Sequence, residues 1–147
     1  MKMDYKLLLK DLLEKDIKEL GEIQQTALLT IRPCLVALSK NTNLDVNKSF
    51  FLFCMSCLGC DKVVTLNEYT LMKKFINVNP SKEEVQSYVN ELLNTNLLSF
   101  AYELVKAVAN ISSEGKEELI RFACCFLVAD KLNQEKEDFL NKLINIH

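Results

Sequence analysis

The chain alternates short apolar stripes with polar turns, and the stripes repeat at helical spacing. Tyr5, Leu9, Leu12, Leu13, Ile17 and Leu20 recur every three or four residues, with Lys6, Lys10, Glu14, Lys15 and Lys18 on the other side. This predicts a first helix reaching Leu20 and broken by Gly21. A second helix is expected from about Glu22 to Lys40, with Pro33 either kinking it or opening its second half. Asp45 is placed to N-cap a third helix, Val46 to about Gly59.

Thr65 with Glu68 forms a capping-box pattern for a fourth helix through about Ile76, which the sequence NVNP then stops. Ser81 with Glu84 repeats that pattern for a fifth helix to about Asn94, and Leu97 to Ala109 reads as a sixth. Ser113 is expected to cap a seventh helix and Asn133 the last, with Phe139, Leu140, Leu143 and Ile144 inward. No segment alternates with a period of two. The pattern predicts one all-α domain over residues 1–147, a compact bundle of seven to eight short helices.

Composition agrees. Hydrophobic residues make up 49% of the 147 positions, and only three glycines and two prolines interrupt them. A hairpin-rich β fold needs more glycine in its turns. The net charge of −2 offers no basic field for phosphates, which argues against nucleic acid as a partner. The charge-free apolar run from Ser49 to Cys60 falls short of the roughly 20 residues a membrane span requires. The amino-terminal segment scatters Lys, Asp and Glu through its leucines, unlike a secretory signal. A cytoplasmic location with reduced thiols is therefore expected for the six cysteines.

Residues 51–75 and 121–144 repeat each other. Anchored on Asp61 and Asp130, both copies place Phe eight residues earlier (Phe53, Phe122) and Leu three earlier (Leu58, Leu127). Both place Glu seven later (Glu68, Glu137) and Leu ten later (Leu71, Leu140), with Phe75 and Ile144 at fourteen. Each unit is an apolar helix, an acidic turn and a capped amphipathic helix, which predicts two pseudo-symmetric αα-hairpins.

Over residues 49–147 this arrangement resembles the TerB-like tellurite-resistance family. That family's signature is an apolar helix ending Ala-Asp-Gly, followed by an apolar residue, a capping residue and Glu. LVADKLNQEKEDFL is close to it, and LGCDKVVTLNEYTLM less so. The resemblance implies a compact helical bundle, a stress-response role through a protein partner, and divalent-cation binding by acidic turn residues. Its candidate ligands here are Asp61, Glu68, Asp130 and Glu137. Both glycines after the Asp are lysines in this chain, Lys62 and Lys131, so differently shaped turns are expected. The second turn is one residue shorter before its cap. At most a weak divalent-cation site is therefore expected, and no other cofactor.

The cysteines and the histidine bear on two further chemistries. Cys54, Cys57 and Cys60 follow a C-x-x-C-x-x-C spacing that can hold a metal or act in redox chemistry, yet on a helix they form a stripe of core width. The one histidine is His147, the last residue, and no phosphate-binding glycine loop or HExxH motif occurs. A non-enzymatic protein-interaction domain is expected. A rival on the same fold is an inhibitor or immunity-type binder, docking a basic partner through residues 114–138, which carry seven acids against four bases.

Overall fold

A computed structural model describes residues 3–75 and 80–146; Ile76, most of the NVNP stop and His147 lie outside them. Among the described residues the chain forms eight helices and no strand. They are α1 (Tyr5–Leu12), α2 (Ile17–Asn41), α3 (Val46–Gly59), α4 (Leu66–Met72), α5 (Lys82–Leu93), α6 (Leu97–Ala109), α7 (Ser113–Leu127) and α8 (Gln134–Ile144). None of these helices is long and apolar enough to cross a membrane.

Most helix starts follow the local chemistry of their caps. Asp45 accepts from the Lys48 N–H, and Thr65–Glu68 and Ser81–Glu84 close reciprocal capping boxes. Asn133 caps α8 through the Lys136 N–H. The cap of α7 is Ser112, one residue before the expected Ser113, and its hydroxyl accepts from the Gly115 N–H.

The first boundary differs more. The expected helix to Leu20 is two helices, because Asp16 and Glu19 form a third capping box that opens α2 at Ile17. Gly21 then lies buried inside α2 rather than at a break. A Cβ there would meet only the outer end of the exposed Lys74 side chain, which can swing aside. Pro33 also stays within α2. The carbonyl its ring leaves unpaired belongs to the exposed turn at Leu29, where water can satisfy it.

α7 is the centre of the molecule, in contact with α1, α2, α3, α4, α6 and α8. Its residues from Phe122 to Leu127 are all buried, as are those of α3 from Leu52 to Gly59. These two segments therefore bury several faces, since they hold almost no polar side chain that could mark a solvent side. Phe122 collects three rings, with centroids of Phe50 at 5.4 Å, Phe75 at 5.1 Å and Phe126 at 5.4 Å. Of the eight apolar residues that the two repeats match, six are buried (Phe53, Leu58, Leu71, Phe122, Leu127 and Leu140), while Phe75 and Ile144 pack partly exposed against them.

Candidate functional site

The two acidic turns meet. α3 ends at Gly59, and the chain turns through Cys60 and Asp61 into Lys62, whose φ of 72° is left-handed. Lys62 thus adopts the left-handed conformation that a glycine takes at least cost. Gln86 of α5 holds the turn open: its Nε2 donates to the Lys62 carbonyl at 3.0 Å, and its Oε1 accepts from the Val64 N–H at 2.8 Å.

Contacts between the turns are reciprocal. Asn133 Nδ2 donates to Asp61 Oδ2 at 3.0 Å, while Asn67 Nδ2 donates to Asp130 Oδ1 at 2.7 Å and to the Ala129 carbonyl at 3.2 Å. Each hairpin's second helix thereby grips the other hairpin's acidic turn.

A buried lysine closes the centre. Lys136 is only 2% exposed, and its Nζ donates to the Lys131 carbonyl at 3.1 Å. The same ammonium lies 3.5 Å from Glu68 Oε2 and 3.9 Å from Asp61 Oδ2. Glu68 is fully buried; its Oε1 accepts from the Thr65 N–H, while Oε2 makes no hydrogen bond and faces Lys136 through charge alone. Burial raises the Glu68 carboxyl to about 7, against the opposing pull of the Thr65 N–H and the Lys136 charge.

The four proposed cation ligands do not converge. Asp61 and Glu68 reach the centre, but Asp130 is exposed and bonded to Asn67, and Glu137 is exposed on the outer side of α8. Counting from the caps explains the difference. Glu68 is the third residue after Thr65, and the third residue after Asn133 is Lys136. The shorter second turn moves Glu137 out of register, so the spatial counterpart of Glu68 is a cation. A divalent ion among these oxygens would sit beside a buried ammonium, where repulsion is about 4 kcal/mol per unit charge at 4 Å. These residues do not fit a divalent cation while Lys136 is in place, and among the described residues no group of three metal-ligating side chains comes together.

The cysteines lie close by and inward. All six are free and buried. Burial pushes the Cys54 and Cys57 thiols far up, and it raises Cys60 to about 12 with help from the negative Asp61 and Glu68. The Cys60 thiol donates to the Cys57 carbonyl at 3.6 Å. Such thiols behave as small apolar side chains, and the thiolate that ligation or attack requires is disfavoured.

Lys136, Asn67 and Gln86 are the site residues that the motifs did not name. One signal for Lys136 was available, because it shares the spacing of Phe139, Leu140 and Leu143 on the buried stripe of α8. No family model, curated protein or solved structure matches the chain. The TerB-like resemblance therefore rests on the residues of the two hairpins.

Proposed function

We propose that this chain is a non-enzymatic protein-interaction domain of the TerB-like type, acting through a protein partner in a stress response of the tellurite-resistance kind. The observation that carries this reading is the pairing at the buried centre. Asp61, Glu68 and Lys136 face each other there, and the groups best suited to acid–base or metal chemistry thus hold two hairpins together. Function is then left to the outer surface. The test is affinity capture from native lysate at moderate salt, with the captured proteins identified by mass spectrometry. A stoichiometric partner supports the reading. Substrate turnover by the isolated chain, or failure to capture any specific protein, counts against it.

The immunity-type alternative keeps one observation in its favour. Of the four bases in residues 114–138, Lys116 donates to the Ile144 and Ile146 carbonyls and Lys136 is buried. The acids there consequently dominate the accessible charge. Capture of a basic partner, lost on reversing Glu114, Glu135 and Glu137, would favour that version.

A further inference from the structure

A groove of about 940 Å³ runs between α2 and α3 and ends at the residues following α4. Its α2 wall is set by Leu28, Arg32, Val36 and Lys40, which recur every four residues on one face. Across twelve helical steps that face is about 18 Å long. Phe50 and Phe51 line the opposite wall, and Lys74 and Phe75 close one end. Val36 is 52% exposed although it is a β-branched apolar residue, and Phe50, Phe51 and Phe75 are only half-buried.

The charge of this groove is one-sided. Arg32, Lys40 and Lys74 line it, no Asp or Glu does, and none of the three bases belongs to an ion pair among the described residues. This occurs on a chain whose net charge is −2. An apolar floor with a basic rim, about three helical turns long, is complementary to an amphipathic helix with acidic flanks.

We infer that this groove docks an acidic amphipathic helix of a protein partner. Apolar side chains at i, i+3 or i+4 and i+7 seat against Val36, Phe50, Phe51 and Phe75, and flanking carboxylates meet Arg32, Lys40 and Lys74. The inference rests on the interaction-domain reading above and adds the surface and the sign of the partner's charge.

The test uses a fluorescein-labelled helical peptide of about 12 residues, the length that spans 18 Å, with Leu and Phe on one face and Glu on its flanks. A second peptide carries Lys in place of every Glu. Fluorescence anisotropy on the full chain should show binding of the acidic peptide that weakens with salt, and none of the basic one. The variant Arg32→Glu/Lys40→Glu/Lys74→Glu alters exposed side chains, so it should fold, as far-ultraviolet circular dichroism would verify. It should weaken binding by about tenfold or more, as expected for three rim pairs, and Val36→Asp should weaken it as well. Absence of acidic-peptide binding, equal binding by the triple variant, or preference for the basic peptide would each overturn the inference. Capture of a native partner that the triple variant retains in full would also overturn it while leaving the interaction reading intact. Failure of the unaltered chain to capture any partner would count against that reading instead.

Discussion

Glu68 and Lys136 occupy the same place in their two helices, third after the N-cap, and face each other across the junction of the hairpins at 3.5 Å. Both side chains are essentially buried. Replacing one member of such a pair leaves the other charge uncompensated. Lys136→Met should therefore destabilise the fold by about 3–5 kcal/mol at pH 8, measured by urea denaturation. The double variant Lys136→Met/Glu68→Gln should recover part of that loss. A loss below about 1 kcal/mol for Lys136→Met would show that the pair does not hold the hairpins together.

Stability should depend on pH through Glu68. Its carboxyl titrates near 7 when folded and near its ordinary 4.5 when unfolded. Between those values the folded chain holds a proton that the unfolded chain releases. The contribution is fully present below pH 4.5 and is lost as pH rises through about 7, amounting to at most about 3 kcal/mol. Glu68→Gln keeps an oxygen for the Thr65 N–H and removes the titration. The difference in stability between Glu68→Gln and the unaltered chain should grow in favour of the variant from pH 4.5 to pH 8. A constant difference would contradict this.

Titration calorimetry with Ca²⁺ or Mg²⁺ should detect no binding tighter than millimolar. The reason is the Lys136 ammonium among the oxygens of Asp61, Glu68 and Lys131, rather than the exposed Lys62 and Lys131 side chains. Micromolar binding abolished by Asp61→Asn or Asp130→Asn would overturn that account.

Under native conditions the six thiols should react slowly with a disulfide reagent that consumes thiolate, because each is buried. Cys34 and Cys60, at 6% and 7% exposure, should be the first to react, and denaturant should release all six. Rapid native reaction of Cys54 or Cys57 would revive a redox role.

Phe122→Ala should cost about 3–5 kcal/mol, since the ring is wholly buried and meets three others. For a domain of this size the melt should fall by roughly 10 °C. A shift of a degree or two would place Phe122 outside the core.

The helices were legible because their signals are local. Asp45, Thr65, Ser81 and Asn133 cap where their spacing to the next apolar stripe says they should. The break before Ile17 was hidden because the stripe of α1 continues in phase into α2, so Asp16–Glu19 looked like ordinary surface charge. Lys136 is hidden for a different reason. Matching the repeats from Asp61 and Asp130 pairs Glu68 with Glu137, whereas the caps pair it with Lys136. A lysine in an apolar stripe shows its role only when the opposing carboxylates are placed, and they come from helices distant in sequence. The groove was not legible at all, since it depends on how α2, α3 and the residues after α4 come together in space.

The two bonds that knit the acidic turns, Asn133 to Asp61 and Asn67 to Asp130, join residues 72 and 63 apart in the chain. Closing such long loops is entropically expensive, so local helices and hairpins have reason to form before these links do. On that order the junction would be sealed late along the folding route. Substitutions such as Asn133→Ala would consequently hasten unfolding more than they slow folding, because the interaction they remove is largely absent from the transition state. The crossed turns should then set the lifetime of the assembled domain more than the speed of its assembly.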